Sequence, residues 1–467
     1  MTFVPSAADV AAYLDQHMGR EPGTKIQYGH PSPRFWQVRE APLNELLAPL
    51  DPHKPLNLYL HIPFCPPTDP EACGFCLFAR EDYQSYQAVD AYVTDLLVEL
   101  GHVAARVGRR TLRTLYFGGG TPNLLNEASI RQIFARLHQL FDIPPGCETT
   151  LEGTPGLFTP GRLEALHEVG VNRISIGAQV LKAHLLKYSG RTQRNEHIVR
   201  TVDFCKARGI HCSVDLITGW FEQTPDDVVD DVRLLHGWGV DGIVNHPLTL
   251  GGDSEFARNK HRLPPIEVSR DAFLAGRATL LELGYRADSY TDYCRADLRP
   301  VQFLEMYRDA LHNDRLGVGY GANSLFAGTV DRPGHTYKNV VGRDPYHGRL
   351  SAGRSAVESV FDFNRVDLQL IYVLKGLEGS PWLDATAYAQ EFGSSLADDF
   401  APFWQVLTER GWLTWNDGHP QLQGDGIFYT SEVQRCLSEP RNAGLRGAAR
   451  RREPGSLSLG AAAALDA

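Results

Sequence analysis

Three cysteines fall within twelve residues in the stretch His61-Ile-Pro-Phe-Cys65-Pro-Pro-Thr-Asp-Pro-Glu-Ala-Cys73-Gly-Phe-Cys76. In a reducing compartment such a cluster points to metal or redox chemistry, with the thiolate as the working species. Structural zinc usually takes four ligands. Three thiolates suit three irons of a [4Fe–4S] cluster and leave the fourth iron open to a reactant. Cys73-x-x-Cys76 alone is shared with thioredoxin-like redox pairs and zinc knuckles, so other residues must decide. Tyr116-Phe-Gly118-Gly119-Gly120-Thr121-Pro122 brings bare backbone that a ligand can approach closely, although a tight strand-to-helix turn would use the same glycines. Glu152, Gln179, Arg191 and Asp215 are each ordinary polar residues taken singly. They become informative because they lie in or just after successive predicted strands, where open α/β sheets build one shared pocket.

The elements that must position these groups follow from the hydrophobic pattern. Apolar, β-prone runs predict strands over 56–64, 114–117, 148–152, 173–179, 212–217 and 242–250. Helical patterns over 86–107, 127–140, 160–169 and 224–237 separate them, with start signals at Thr159-Pro160 and Thr224-Pro225-Asp226. Strands alternating with helices of this length mean an α/β fold with parallel strands and right-handed crossovers. Six units are too few for a closed eight-stranded barrel, so an open or partly closed sheet is expected. The first strand leads directly into the cysteines, which places the thiols at its C-terminal end.

The division expected along the chain is an N-terminal lead-in over 1–50 with a short helix at 7–17, then a βα core over 51–285. An extension rich in Tyr, Gly, Asp and Arg covers 286–364, and a small helical domain covers 365–440. That domain contains LQLIYVLKGL, a longer helix around 396–409 and a β-like end at 412–415. Residues 441–467, with five arginines by Arg452 and then Gly, Ser and Ala, read as a disordered tail.

The 467 residues are 43% hydrophobic and 22% charged, which excludes collagen, coiled coil and general disorder. A net charge of −10 repels phosphate backbones, so no nucleic-acid partner is expected. The start, MTFVPSAADVAAYL, lacks the basic and apolar regions of a signal peptide, and no run of apolar residues is long enough for a membrane span. A cytoplasmic protein without a membrane partner is the expectation. Cys147, Cys205, Cys212, Cys294 and Cys436 are read as small buried hydrophobes.

HIPFC, YFGGGTP, RISIGAQ, SGRTQ and VDLITG together resemble the radical S-adenosylmethionine (SAM) enzymes of the oxygen-independent coproporphyrinogen III oxidase type. The resemblance runs over 56–346, including GVGYGANS, Tyr337 and Tyr346, and extends to the helical region over 368–435. It implies a partial (βα)6 barrel with a small, mainly helical C-terminal domain, and Cys65, Cys73 and Cys76 as ligands of a [4Fe–4S] cluster. By position, Tyr59, Gly119 and Glu152 would hold a first SAM. Phe75, Gly120, Thr121, Gln179, Arg191 and Asp215 match the contacts of a second SAM that some members bind. A small-molecule substrate and a reductant such as flavodoxin or ferredoxin are implied as partners.

Two departures from the family pattern bear on function. Its Cys-x3-Cys-x2-Cys spacing is lengthened here, with seven residues between Cys65 and Cys73. Extra loop length costs little in closure entropy, and Pro66, Pro67 and Pro70 would stiffen the bulge. Phe78 stands where decarboxylating oxidases often carry a further cysteine, and the 32–36 stretch does not match their N-terminal signature. The leading expectation is therefore methylation or other alkylation of an unsaturated carbon in a tetrapyrrole or aromatic, natural-product-like substrate. Oxidative decarboxylation of coproporphyrinogen and a heme-chaperone role are the alternatives. His61 and His246 are weighed as heme ligands, with satisfied pocket or core histidines as the simpler expectation.

Overall fold

The computed structural model describes residues 5–18, 30–48, 50–51, 54, 56–250, 254–379 and 383–452. After α1 (Ala7–Met18), the chain runs through six βα units. These are β1 (Leu56–Ile62) with α2 (Tyr86–Val107), β2 (Leu112–Gly119) with α3 (Glu127–Leu140), and β3 (Glu148–Gly153) with α4 (Pro160–Glu168). They continue as β4 (Arg173–Gln179) with α5 (Asn195–Arg208), β5 (His211–Thr218) with α6 (Pro225–Trp238), and β6 (Gly242–Pro247) with α7 (Ile266–Glu282). Strands β1 to β6 pair in parallel and in chain order.

The sheet does not close. β7 (Arg315–Val318) pairs in parallel with β1, and β8 (Asn323–Gly328), β9 (Pro333–Asn339) and β10 (Val357–Asp362) continue it antiparallel. Gln37–Val38 ends that side, while Asp292–Arg295 and Tyr285–Ala287 end the other. Thirteen strands among the described residues form this one sheet.

The strands hold two kinds of face because side chains alternate. Leu58, Leu60, Leu115, Phe117, Ile174, Ile176, Cys212 and Val214 join the buried apolar core with the helices. The alternate positions read Tyr59 and His61, Tyr116 and Gly118, Thr150 and Glu152, Arg173 and Ser175, Ser213 and Asp215. That second face is polar and forms the lumen. The helices start where hydroxyl and amide caps accept backbone N–H groups: Ser85, Asn126 and Thr159, and a full capping box between Thr224 and Asp227. Each such cap stabilises its helix by about 1 kcal/mol.

A second core joins α8 (Arg365–Gly379), α9 (Ala401–Glu409) and α10 (Thr430–Arg452) to the hairpin Leu413–Asn416/His419–Leu422. Val10 and Leu14 of α1 are buried in this core, and residues 43–47 pack on the barrel core instead. Residues 19–29 lie outside the described residues.

Three expectations are corrected. The tail is helical as far as Arg452, because the buried Asp367 carboxylate draws Arg441 into a two-point pair at 2.8 and 2.9 Å. Residues 453–467 lie outside the described residues. The longer helix at 396–409 is two helices, Leu396–Asp399 and α9, divided at Phe400, whose backbone leaves the helical region just ahead of Pro402. The strand predicted over 242–250 ends at Pro247. Among the described residues no helix is long and apolar enough to cross a membrane.

Candidate active site

The cysteine loop leaves the C-terminal end of β1 and its neck is closed by backbone pairing. Phe64–Cys65 lies parallel to Glu81–Asp82, with Tyr83 N donating to Cys65 O at 2.7 Å and Glu81 N to Pro63 O at 2.8 Å. Between these ends the chain takes a left-handed run through Ala72 (φ 57°), Cys73 (φ 54°) and Gly74 (φ 74°). Such φ values cost roughly 1–3 kcal/mol at a non-glycine residue and persist only where surroundings fix them. Here Thr68 Oγ accepts from Cys73 N at 2.9 Å, and Arg80 pairs with Glu71 at 2.8 Å and with Asp82.

Cys65, Cys73 and Cys76 are each partly buried, and neighbouring thiols raise the proton affinity of Cys65 and Cys76. Burial is the larger cause and pushes Cys65 up to about 11, while the Thr121 hydroxyl, 3.4 Å from its sulfur, opposes it. The bare Cys65 and Cys76 thiols hold their protons at neutral pH, and a bound metal ion would reverse that. Among the described residues no trio of Cys, His, Asp or Glu converges as the ligands of a single ion must. Three thiols that each take a different iron need not converge.

Around the thiols the structure brings together two polar sets. In the first, Tyr59, Gly119 and Glu152 lie on β1, β2 and β3. His61 Nε2 donates to the Ala79 carbonyl at 2.9 Å, so its Nδ1 accepts from the Tyr59 hydroxyl at 3.0 Å. Burial holds that imidazole neutral, near pKa 4. A Cβ on Gly119 (φ 111°) would stand 2.6–2.9 Å from this ring, so only glycine fits. Half-buried Glu152 accepts from the Tyr116 hydroxyl, and burial raises its pKa against the help of Tyr116, Arg173 and the Gly119 amide.

In the second set, Gln179 ends β4 after a bulge and holds φ 71°, a conformation rare outside glycine. A Cβ on Gly177 would meet Gln179 Nε2 at 2.9 Å and Arg191 Nη2 at 4.0 Å, which places both side chains over that glycine. Arg191 Nη1 is buried with no hydrogen-bond partner, and the acidic groups that act on this guanidinium are the three cysteines and Asp215. Both Asp215 oxygens lie 3.1 Å from Ser175 Oγ. Behind it, Ser213 Oγ donates to Ser175 Oγ at 3.2 Å and Arg173 Nη2 to Ser213 Oγ at 3.3 Å. Burial still raises Asp215 to about 6, with His246 as the main opposing charge.

Two predicted contacts serve the loop as well. Gly120 must be glycine because a Cβ would lie 2.6 Å from Pro63 O. Phe75 packs on Trp220 and Phe256, at 5.2 and 6.0 Å between ring centres. Sequence reasoning missed Tyr116, Arg173 and Arg80. The alternation of β2 and β4 held the signal for the first two, whereas nothing local marked Arg80. The five remaining cysteines are buried, as expected. A cleft of about 430 Å3 near the start of β6, lined by His236, Gly239, Tyr285 and Arg295, contains none of these groups.

The residues fit the cluster and cofactor that the resemblance implied: three partly buried thiols, a glycine cradle and a buried guanidinium with one nitrogen unpartnered. Residues 59–235 match the radical SAM superfamily. The heme chaperone HemW of Synechocystis is 30% identical over 283 residues, 59% of this chain and 67% of its own. The oxygen-independent coproporphyrinogen III oxidase of Paracoccus denitrificans is 32% identical over 302 residues, 62% of this chain and 66% of its own. The solved coproporphyrinogen III oxidase HemN of Escherichia coli superposes with a TM-score of 0.75 at 23% identity, covering 90% of this chain and 99% of that one. That likeness establishes the fold, a radical SAM α/β sheet with a helical C-terminal region.

Proposed function

Since the chain belongs to the radical SAM superfamily, in the branch of the oxygen-independent coproporphyrinogen III oxidases and HemW, we propose that it binds two SAM molecules beside its cluster. The protein is a radical SAM enzyme, and a [4Fe–4S] cluster and SAM are its cofactors. In this reading Cys65, Cys73 and Cys76 hold the cluster, and one carbon unit is transferred to an unsaturated carbon of a tetrapyrrole or aromatic substrate. The bound cofactors supply one-electron cleavage of a sulfonium to methionine and a 5′-deoxyadenosyl radical.

The chain's own residues bind and orient. Glu152 accepts hydroxyl hydrogen bonds of a first SAM, exchanging its bond to Tyr116 for them, while Gly119 lets the backbone approach. Arg191 offers its fork to the carboxylate of the second SAM, and Asp215, ionised by that cation, accepts from its ammonium. Gln179 closes the same set. Neutral His61, engaged at both nitrogens, neither takes a proton nor ligates heme.

The observation that carries this reading is the second polar set. Gln179, Arg191 and Asp215 lie beside but apart from Tyr59, Gly119 and Glu152, with Arg191 Nη1 buried and unpartnered. Oxidative decarboxylation is the second reading, supported by the name of the Paracoccus relative. A heme-chaperone role is supported by the name of the Synechocystis relative, with exposed His246 as its candidate ligand.

Anaerobic incubation with reductant and trideuteromethyl SAM separates the three. Methyl transfer puts at least two deuteriums into the product and yields S-adenosylhomocysteine beside deoxyadenosine. Carbon dioxide release with no label in the product would replace methyl transfer by decarboxylation. Neither product, with heme binding lost in His246→Ala, would favour the chaperone.

A further inference from the structure

Two surface elements pack against the loop that carries Cys73. Gly190 sits so close to it that a Cβ there would lie 2.1 Å from Asp69 O, and Phe256 lies 3.1 Å from where a Cβ on Gly74 would be. The same two segments, 184–190 and 255–262, expose His184, Lys187, Arg258, Lys260, His261 and Arg262. Among the described residues, carboxylates pair with Lys187 and Arg258. Glu222 lies 3.8 Å from Lys187 and Glu255 lies 2.8 Å from Arg258. Arg262 acts on both carboxylates, lowering their pKa further after the hydrogen bonds from Tyr188 and Arg258. On a chain of net charge −10 this is a basic face.

The face rests on a rigid aromatic layer that reaches the cysteine loop. Lys187 and Arg262 lie over the Tyr188 ring at 4.7 and 5.1 Å. Tyr188 meets Phe221 at 5.3 Å, Phe221 meets Phe256 at 4.3 Å, and Phe256 meets Phe75 at 6.0 Å. Phe75 lies between Cys73 and Cys76 in the chain.

We propose that this basic face is the docking surface of an acidic one-electron carrier protein of the flavodoxin or ferredoxin type. The proposal rests on the reading that Cys65, Cys73 and Cys76 hold a cluster. One electron leaves the carrier's reduced centre, which is oxidised by one unit. The cluster is reduced by one unit, and no atom or proton is transferred. The chemistry favours a protein over a small anion. Side chains such as Lys187 and Arg258, 56% and 60% exposed, bind a small anion weakly in water, yet together they steer a charged protein surface. Small, charge-steered interfaces are typical of transient redox encounters.

The test uses the full chain, with and without reconstituted cluster, and a flavodoxin of low isoelectric point. The variant is Lys187→Glu/Arg262→Glu, and Arg131→Glu/Arg136→Glu on the outer helix α3 is the charge-matched control. At low ionic strength the double variant should bind oxidised flavodoxin and accept electrons from its reduced form at least about tenfold more weakly and slowly. Its salt dependence should flatten. Reduction by dithionite, iron content and the control should be unchanged.

An unaltered flavodoxin rate, no binding by the parent protein, or an equal loss with dithionite would overturn the proposal. A raised KM for an anionic substrate with intact donor kinetics would do the same and assign the face to that substrate. If the parent holds no iron, the cluster reading fails, while binding of the oxidised carrier still reports on the face.

Discussion

Gly190→Ala tests whether the neighbouring segment, and not the cysteine spacing, places the thiols. Two costs can be worked from the geometry. At φ 63° an alanine meets the left-handed penalty, roughly 1 kcal/mol. Its Cβ would also stand 2.1 Å from the Asp69 carbonyl oxygen and 2.8 Å from its nitrogen, both backbone atoms that cannot swing aside. Relieving such an overlap moves the loop and adds about 1–3 kcal/mol. Gly209 supplies the control, since its φ is 67° and a Cβ there meets nothing within 4 Å. Urea unfolding should therefore show Gly209→Ala destabilised by about 1 kcal/mol and Gly190→Ala by about 2–4 kcal/mol. After anaerobic reconstitution, Gly209→Ala should keep the parent's iron and Gly190→Ala should lose much of it, although neither glycine touches a sulfur. Equal destabilisation with equal iron would refute the bracing argument.

Three further outcomes are expected. Cys65→Ala should lose most of the roughly four irons a [4Fe–4S] cluster brings, while Cys147→Ala, buried away from the loop, should keep them; iron assay after reconstitution decides. Glu152→Ala should weaken SAM binding, measured calorimetrically, with iron intact, since each charge-assisted hydrogen bond lost is worth about 1.5–3 kcal/mol; parent-like binding would misplace the first set. The Asp215 pKa, raised by burial from 3.8 to about 6, means that the folded cofactor-free protein binds an extra proton between those values. Stability from this group is thus full below pH 4 and falls as pH rises to 6, so the urea midpoint of Asp215→Asn should lose that slope relative to the parent, and parallel curves would refute the burial argument.

Much of this was legible because local rules and the fold agree. The run over 173–179 is β-branched and apolar at alternate positions and is a strand over those same residues. Helix 86–107 begins at the residue after Ser85, whose side chain caps it. Glu152, Gln179, Arg191 and Asp215 could be gathered from the ends of such runs. What local pattern could not supply was the partner across space. Arg173 and Tyr116 sit on the alternation already recognised, yet their link to Asp215 and Glu152 exists only once the strands lie side by side. The arginine-rich tail looked solvated because no residue nearby in sequence holds Arg441. Asp367, 74 residues away, does.

The cysteine spacing carries the same lesson into function. A motif's spacing constrains its atoms only when the chain between them is the shortest tie. Here a shorter tie exists, because the Phe64–Cys65 and Glu81–Asp82 strands close the neck and Arg80 spans from Asp82 back to Glu71. Gly190 and Phe256 then press the far side of the loop from outside. With both ends and one flank fixed, added residues bulge outward at small entropic cost, and Cys73 is placed by its left-handed turn and its bond to Thr68. Seven intervening residues therefore do not count against a shared site. The positions that do constrain it are Gly74, Gly190 and Arg80, all three outside the stretch between the first two cysteines and two of them outside the motif altogether.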